Sequence, residues 1–318
     1  MGFAQGDRSY LFLTNEGKVL FGDEQLARCE VVAISDKVKQ VAGSDFVFFA
    51  ITETGKLFSW GRKNNGGSGS PQRIIKIKGR VIAGAVARNH RTALTDDGCV
   101  WTWGENFHGT LGDGTQKRKM VPSVVEGILG RSIQIAAGAG SSYALTEEGV
   151  IWSWGNNSYG QLGRGDIRTG VQSFVPGRVV SEKNFIKIAA GRYHCLGLTK
   201  EGEVYGWGRN ELGQIGSKKV DYSLIPKRVL LPHVKFVDIA ASGVGSLARD
   251  ETGAIWGWGD QQHSPFAQIY IKRSFRLCPI LNLSPLVEEI CFGSGVPIIR
   301  VGDLEKLVRK ELSKTFAL

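Results

Sequence analysis

The chain has 318 residues, of which 42% are apolar and 22% are charged, and its formal net charge is +10 at pH 7. This composition argues against disorder, and no apolar run approaches the roughly 20 residues that a membrane-spanning helix needs. Five scattered cysteines without a CxxC pair argue against a disulfide framework and a thiolate zinc site. We therefore expect a soluble intracellular monomer, cytoplasmic or nuclear, whose excess positive charge suits acidic partners.

The first predicted element is the segment TNEGKVLFG, which begins at Thr14. Longer copies follow from residues 52, 95, 146, 199 and 250, and they read TETGKLFSWG, TDDGCVWTWG, TEEGVIWSWG, TKEGEVYGWG and DETGAIWGWG. All eight tryptophans of the chain lie in these copies. Self-similarity at a nearly constant spacing predicts a protein built from structural repeats.

Each copy predicts a β-strand that is buried on both faces. In the copy from residue 95, Trp101 and Trp103 alternate with Val100 and Thr102, so one face is bulky and the other is aliphatic or small. Such sheets can stack radially, because the large side chains of one sheet fill the space beside its neighbour. The pattern therefore predicts an all-β fold, a β-propeller of four-stranded antiparallel blades.

A second element ends in a small residue and precedes each aromatic segment at a fixed offset. Along the chain it reads FAQG, VAGS, GAVA, IAAG, IAAG, IAAS and ICFG. By this criterion six repeats are complete, and a seventh begins at Ile290 and stops early. We predict that the propeller covers residues 1–302.

The last segment of the sequence has a helical pattern. Asp303 can cap its start, and its apolar stripe consists of Leu304, Leu307, Val308 and Leu312. We predict an amphipathic helix over residues 303–318 that packs on the propeller or projects from it.

Three loops carry a more specific signature. They read WGENFHGTLGDG from Trp103, WGNNSYGQLGRGD from Trp154 and WGRNELGQIG from Trp207. In these loops the chain resembles the regulator-of-chromosome-condensation repeat family, whose hallmark is WG, then Asn, then GQLG. The resemblance extends from about residue 3 to 302. It implies a propeller, usually of seven blades, that binds other proteins.

The resemblance also implies where partners bind, because family members often engage them at the turn between the first two strands of each blade. We predict the partner-binding face at Asp7, Arg8, Asp45, Phe46, Arg88, Asn89, His90, Ser141, Arg192, Tyr193 and His194. For the two histidines, hydrogen bonding between strands stays open beside partner contact. Arg88, Arg192 and Tyr193 are the favoured contacts, because arginine and tyrosine are enriched in binding hot spots.

Exchange factors of this family displace nucleotide with a hairpin that projects from one blade. The segment from Arg164 to Pro176 is the candidate for such a projection in this chain, with Arg164, Asp166 and Arg168 in its first part.

Three functions stay open from the sequence. The first is a scaffold that regulates a small GTPase of the Ran or Rab type, with guanine-nucleotide exchange as its strongest form. The second is a non-catalytic adaptor or inhibitor that binds another protein through one face. The third is docking to chromatin, nucleic acid or an anionic membrane through basic clusters on the rim, at Lys76, Lys78 and Arg80, at Lys117, Arg118 and Lys119, at Lys218, Lys219, Lys227 and Arg228, and at Lys272, Arg273 and Arg276.

The sequence lacks a phosphate-binding loop, an HExxH pair and a GxSxG elbow. We therefore predict no catalytic residues, no cofactor, no metal site and no small-molecule substrate.

Overall fold

The computed structural model describes residues 2–6, 9–23, 29–44, 47–61, 69–165, 172–217, 220–229, 234–259, 274–281, 287–292 and 297–301. These residues form strands, turns and bends, as the all-β prediction requires. Within these ranges no helix is long and apolar enough to cross a membrane. The helix predicted over 303–318 lies outside the described residues.

The described strands form six antiparallel sheets of four strands and one sheet of two, which we number in chain order. Sheet 1 contains β1 (Gly2–Gly6), β2 (Ser9–Leu13), β3 (Val19–Asp23) and β4 (Cys29–Val32), and sheet 2 contains β5 (Val38–Gly43), β6 (Val47–Thr52), β7 (Leu57–Gly61) and β8 (Gln72–Arg73). Sheet 3 contains β9 (Val81–Val86), β10 (His90–Thr95), β11 (Val100–Gly104) and β12 (Lys119–Val124), and sheet 4 contains β13 (Ser132–Ala137), β14 (Ser141–Thr146), β15 (Ile151–Gly155) and β16 (Ser173–Arg178). Sheet 5 contains β17 (Phe185–Ala190), β18 (His194–Thr199), β19 (Val204–Arg209) and β20 (Tyr222–Arg228), and sheet 6 contains β21 (Phe236–Ser242), β22 (Gly245–Asp250), β23 (Ile255–Gly259) and β24 (Ser274–Leu281). Sheet 7 contains β25 (Val287–Phe292) and β26 (Pro297–Val301).

Each four-stranded sheet is a meander, in which every strand pairs antiparallel with the next one along the chain. The first strands of neighbouring sheets contact each other, as β13 contacts β9 and β17, and β21 contacts β17 and β25. The first strands are therefore innermost, and the fourth strands form the outer rim. In the described part of the chain, the prediction of a β-propeller with six full repeats and a shorter seventh is confirmed.

The apolar core lies between successive sheets. Between sheets 3 and 4, the cluster joins Trp152 and Trp154 of β15 to Leu94 of β10 and Val100 of β11, and the small Ala85 of β9 packs against it. This arrangement fills the small face of one sheet with the bulky face of the next, as the alternation within each repeat predicts.

Three loops with the WG, Asn and Gly signature follow the third strands of sheets 3, 4 and 5. We call them the Asn–Gly loops, and they comprise residues 106–112, 157–163 and 210–216. In the first loop the buried Asn106 accepts a hydrogen bond through Oδ1 from Leu111 N at 2.9 Å, and Asn157 and Asn210 accept the equivalent bonds at 3.0 Å. The side-chain amide thus closes the loop from inside, because a buried backbone donor needs a partner.

Each Asn–Gly loop presents a backbone carbonyl to the following sheet. The indole Nε1–H groups donate to these carbonyls from Trp154 to Thr110 O at 2.8 Å, from Trp207 to Gln161 O at 2.9 Å and from Trp258 to Gln214 O at 2.9 Å. The tryptophan of the WG pair is therefore both the largest core side chain and a hydrogen-bonded link between two sheets.

The outer strands of sheets 3, 4 and 5 share another repeated feature, an exposed aliphatic residue followed by proline. The pairs are Val121 and Pro122, Val175 and Pro176, and Ile225 and Pro226. Since proline has no amide hydrogen, each outer strand lacks one backbone donor at this point.

Candidate partner-binding face

The turns between the first and second strands lie at the same end of each sheet as the Asn–Gly loops, because the first and third strands of a meander run in the same direction. Backbone hydrogen bonds join turn and loop within each sheet, from Glu105 N to Asn89 O at 2.8 Å, from Asn156 N to Gly140 O at 2.7 Å and from Arg209 N to Tyr193 O at 2.9 Å. We call this end of the propeller the turn face.

The turns of sheets 3 and 5 supply the exposed residues of the turn face that were predicted from sequence. Arg88 and Asn89 are exposed between β9 and β10, and Arg192 is exposed between β17 and β18. The adjacent Tyr193 is half-buried. Arg88 and Arg192 form no ion pair with any described residue, so their guanidinium groups are available to a partner.

Two aromatic and two guanidinium side chains contact one another on the turn face, and we call this group the Tyr–Arg cluster. It consists of Tyr159 from the second Asn–Gly loop, Arg192 and Tyr193 from the turn of sheet 5, and Arg209 at the end of β19. The Tyr159 and Tyr193 ring centroids lie 5.1 Å apart. The Arg192 guanidinium lies 5.3 Å from the Tyr193 ring and that of Arg209 lies 4.9 Å from the Tyr159 ring, both within cation–π range.

The Tyr–Arg cluster carries a net positive charge. Arg209 forms an ion pair with Glu211, and the hydrogen bond to that carboxylate raises the pKa of the arginine. Arg192 has no such partner among the described residues, so the cluster with its neighbour Glu211 keeps one uncompensated positive charge. Flat aromatic surface beside an uncompensated guanidinium favours a carboxylate-bearing protein surface as the ligand.

Three residues that were predicted to belong to the face do not offer their side chains to a partner. His90 and His194 are each 1% exposed, and Ser141 is fully buried. These residues begin the second strands, and the register of those strands turns their side chains inward. They lie beneath the turn face and support it. The prediction that their side chains are exposed on this face is therefore corrected, because they are buried.

Both histidines link their own sheet to the next one. His90 Nε2 lies 2.8 Å from Ser142 Oγ in sheet 4, and Ser142 Oγ donates to Thr110 O at 2.9 Å. Since the serine proton goes to the carbonyl, the imidazole Nε2–H donates to the hydroxyl oxygen. Burial lowers the pKa of His90 to about 3, which keeps its ring neutral near pH 7.

His194 repeats this arrangement between sheets 5 and 6. Its Nε2 lies 2.9 Å from Ser246 Oγ, which donates to Gln214 O at 2.7 Å. Burial lowers the pKa of His194 to about 4. The hydrogen-bonding role that the sequence left open for the two histidines is the one they have in the structure.

The predicted projecting loop begins with a side chain that folds back. The Arg164 guanidinium donates to Ser173 Oγ at 2.6 Å, to Val175 O at 3.0 Å and to Ser153 O, so it joins β15 to β16. Gly165 N also donates to Leu224 O of sheet 5 at 2.9 Å. Arg164 is therefore corrected from a projecting residue to a link within sheet 4, because three protein acceptors surround its guanidinium group.

The remaining predicted site residues lie outside the described residues. They are Asp7, Arg8, Asp45 and Phe46 of the first two turns, and Asp166 and Arg168 of the predicted projecting loop.

Three residues in or beside the Asn–Gly loops were not predicted from the sequence, namely Tyr159, Arg209 and the exposed Phe107. A signal for them exists. Within the loops, Asn and the two glycines recur, whereas the position after WG is Glu105, Asn156 or Arg209 and the position before the first Gly is His108, Tyr159 or Leu212. Variable positions inside a fixed loop are the ones free to serve binding.

The basic rim is partly neutralised by the chain itself. Arg118 pairs with Glu105 at 3.1 Å, and Lys119 pairs with the largely buried Asp113 at 2.6 Å. The described residues hold no group of three His, Cys, Asp or Glu side chains placed to bind a metal ion.

Comparisons with known proteins agree with this architecture. The RCC1-like domain family model matches residues 3–268. The mitochondrial RCC1 domain-containing protein RUG3 of Arabidopsis thaliana is 33% identical over 225 residues, which are 70% of this chain and 42% of RUG3. The chain thus spans less than half the length of this curated relative.

Two solved structures share the fold. Human WBSCR16 superposes with a TM-score of 0.80 at 21% identity, over 92% of this chain and 84% of that one. Prp20p of Saccharomyces cerevisiae, whose structure was described with its binding properties to Gsp1p and histones, superposes with a TM-score of 0.79 at 22% identity, over 99% and 85%.

Proposed function

The chain belongs to the RCC1-like domain family, and from that premise we propose that it is a protein-binding propeller that engages a small GTPase of the Ran or Rab type through the turn face. Regulation of that GTPase, with nucleotide exchange as its strongest form, is the consequence we propose for binding. The described binding of Prp20p to Gsp1p and histones supports a protein partner. We also propose an intracellular location, which the mitochondrial RUG3 supports.

The Tyr–Arg cluster is the observation that carries this proposal. Arginine and tyrosine are the residue types that most often dominate interface energetics, and they do so where they are clustered and rigid. Here each guanidinium lies over a tyrosine ring, and the two rings contact each other. Little side-chain entropy is then lost when a partner binds, because these side chains already hold one another in place.

Binding is tested with the purified chain and a panel of Ran and Rab GTPases in their GDP, GTP-analogue and nucleotide-free forms. We expect one member to bind, and we expect Arg192→Ala and Tyr193→Ala each to weaken that binding by at least about 10-fold, as removal of a hot spot does. Arg178→Ala is the matched control, since Arg178 is an exposed arginine on the rim strand β16. Equal affinity of all three variants and the wild type would move the binding site away from the turn face.

Exchange is tested separately from binding. Release of labelled GDP from the GTPase that binds is followed with and without micromolar amounts of the chain. Acceleration that Tyr193→Ala removes supports an exchange factor, whereas binding without acceleration supports the adaptor function.

A non-catalytic adaptor or inhibitor is the second candidate, and one observation favours it. The base of the predicted projecting loop is held against the propeller, since Arg164 is bonded within sheet 4 and Gly165 to sheet 5. An adaptor needs only the surface of the turn face. Capture of a partner other than a GTPase that depends on Arg192 and Tyr193 would establish this alternative.

A further inference from the structure

A groove lies at the end of sheet 2 opposite the turn face. Its walls are the turn between β6 and β7, at residues 54–57, and the connection from β8 to β9, at residues 73–81. The groove has a volume of about 290 Å³, which is small compared with most pockets that enclose a small molecule. We call it the basic groove, because its walls carry Lys56, Arg73 and Arg80 and no carboxylate.

Aliphatic side chains line the rest of the basic groove. Ile74 and Ile77 are half-buried and pack against the core between sheets 2 and 3. Ile75 stands between them in the sequence and is 74% exposed, the highest value among the large apolar side chains of the described residues. The groove therefore offers apolar contact and positive charge together.

Sheet 5 shows how the same position is neutralised elsewhere in the propeller. Arg228 of sheet 5 and Arg73 of sheet 2 each pair with the second residue of the third strand, so the two arginines hold equivalent positions. Arg228 forms an ion pair with Glu203 at 3.0 Å, and Glu203 also pairs with Lys183 at 3.4 Å. In sheet 5 one carboxylate of the chain thus compensates two cations.

Sheet 2 carries the opposite charge at the position of that carboxylate. Lys56 and Glu203 each directly precede the third strand of their sheet. Lys56 pairs with Asp36 at 2.7 Å, and Arg73 forms no ion pair with any described residue. Sheet 2 therefore lacks a carboxylate at the place where sheet 5 supplies its own.

The acidic residues around the basic groove do not cancel its charge. In residues 34–39, 53–57, 73–81 and 95–99, the acids are Asp36, Glu53, Asp96 and Asp97, and the bases are Lys37, Lys39, Lys56, Arg73, Lys76, Lys78 and Arg80. Glu53 pairs with Lys37 at 2.8 Å, and Asp96 accepts from Arg80 N at 3.3 Å. Asp97 is hydrogen-bonded within its own turn. Seven cations against four anions leave a formal surplus of three positive charges.

We propose that the basic groove binds an extended acidic segment of a partner protein. A carboxylate of that segment takes the place that Glu203 has in sheet 5 and forms a bidentate ion pair with Arg73, while an aliphatic side chain lies on Ile74 and Ile75. The described residues that line the groove include no aromatic ring on which a nucleobase could stack. The groove lies at the end opposite the turn face, so this docking is independent of the proposed GTPase site.

Methyl NMR of the full chain, labelled at isoleucine, tests the proposal. The probe is a blocked nine-residue peptide of glutamate and aspartate with one central isoleucine. We expect it to shift the methyl resonances of Ile74, Ile75 and Ile77 but not those of Ile133 and Ile186, which are exposed on other sheets. We expect a peptide with serine in place of isoleucine to bind more weakly. No shift at millimolar peptide would overturn the proposal, and equal binding of the two peptides would contradict the apolar contact.

Removal of the unpaired guanidinium gives the second measurement. Arg73→Gln is expected to weaken binding of the acidic peptide by at least about 10-fold, because a charge-assisted pair is lost. Arg178→Gln is the matched control, since Arg178 is exposed at the equivalent position of sheet 4. Equal affinities of the two variants would overturn the proposal.

Lys56→Glu converts sheet 2 to the charge pattern of sheet 5. The new carboxylate is expected to pair with Arg73, as Glu203 pairs with Arg228, and to weaken peptide binding by at least about 10-fold. Unchanged tryptophan fluorescence, from indoles buried between the sheets, verifies that each variant is folded. Unaltered affinity in this variant would contradict the proposal. A ten-nucleotide oligothymidylate that shifts the same methyl resonances as strongly as the peptide would assign the groove to nucleic acid and would also contradict it.

Discussion

Two junctions between neighbouring sheets differ in their loops, namely the junction of sheets 3 and 4 and the junction of sheets 1 and 2. Equivalent strands of the repeat meet at both. At the former, the Asn–Gly loop of sheet 3 offers Thr110 O to Trp154, and His90 and Ser142 complete the link. At the latter, sheet 1 has no Asn–Gly loop, and the buried Trp60 Nε1 has no acceptor among the described residues. Apolar contact is present at both junctions, but among the described residues only the first has the hydrogen-bonded link.

This difference explains the motif that marks the repeat. Asparagine closes the loop, glycine lets the chain pass the next indole, and the carbonyl between them accepts the indole proton. The residues of the motif that recur from loop to loop therefore serve the assembly of the ring. Recognition of a partner depends on the variable positions, where Tyr159 and Arg209 stand.

The junction between sheets 4 and 5 shows that the link can be rebuilt. Ser141 replaces the histidine and Cys195 replaces the serine. Tyr143 OH donates instead to Gln161 O at 2.8 Å, the carbonyl that also accepts from Trp207. Gln161 O therefore accepts the indole hydrogen bond at this junction as well, although the side chains around it differ from those at the two histidine junctions.

Gly163→Ala is expected to have the largest effect on this comparison. Gly163 has φ +67°, and an added Cβ would lie 2.7 Å from Trp207 Nε1. Backbone strain together with loss of the indole hydrogen bond should lower the free energy of unfolding by about 3 to 4 kcal/mol. Denaturant titration followed by tryptophan fluorescence measures it.

Gly127→Ala is the control for backbone strain alone. Gly127 has φ +84°, and nothing lies within 4 Å of the added Cβ. We expect a loss of about 1 kcal/mol. Equal losses in the two variants would show that contact with the neighbouring indole contributes nothing.

Acid is expected to weaken the two histidine junctions selectively. The folded-state pKa values of His90 and His194, about 3 and about 4, lie below the ordinary value of 6.5, so the unfolded chain takes up protons first. Their contribution is complete above pH 6.5 and is lost as the pH falls towards those values. Between pH 6.5 and 5 the pair should cost about 3 kcal/mol of unfolding free energy.

His194→Gln separates this contribution from the other groups that titrate. Glutamine can still donate to Ser246 but does not ionise in this range, so the variant should lose about half of the pH dependence. Denaturant midpoints of wild type and variant at pH 7, 6 and 5 provide the measurement. Parallel curves for the two proteins would contradict a neutral buried His194.

Replacement of tryptophan by phenylalanine gives the smallest but most direct test. Trp154→Phe loses the 2.8 Å bond to Thr110 O, whereas Trp60→Phe removes an indole N–H that has no partner among the described residues. Both variants lose a similar ring volume. We expect Trp154→Phe to be less stable than Trp60→Phe, relative to wild type, by about 1 kcal/mol in chemical unfolding. A larger loss for Trp60→Phe would refute the link.

The propeller could be predicted from the sequence because the signal is local and repeated. Alternation such as Val100, Trp101, Thr102 and Trp103 determines which side chains share a face, and neighbouring repeats supply the surfaces they bury. The position of His90 was harder, because its partner Ser142 lies one repeat away. The sequence does hold a clue, since histidine occurs with serine at two junctions and is absent where Cys195 replaces that serine.

The Tyr–Arg cluster could not be predicted in the same way. Tyr159 belongs to a loop of sheet 4 and Tyr193 to a turn of sheet 5, and their contact depends on how the two sheets rotate against each other. Arg192 and Tyr193 were predicted as partner contacts from their residue types alone, and their contact with a partner remains a prediction. Tyr159 and Arg209, the other two members of the cluster, could be identified only from the structure.

The prolines of the outer strands have a consequence for behaviour at high concentration. A propeller exposes the free edge of its last strand on every blade, and such an edge can template pairing with another chain and start fibre growth. The exposed side chains of Val121, Val175 and Ile225 add apolar surface to these edges, which favours association with another chain. Each of them is followed by a proline, which cannot donate a backbone hydrogen bond. Pro122, Pro176 and Pro226 thus disfavour the pairing of an outer strand with a strand of another molecule.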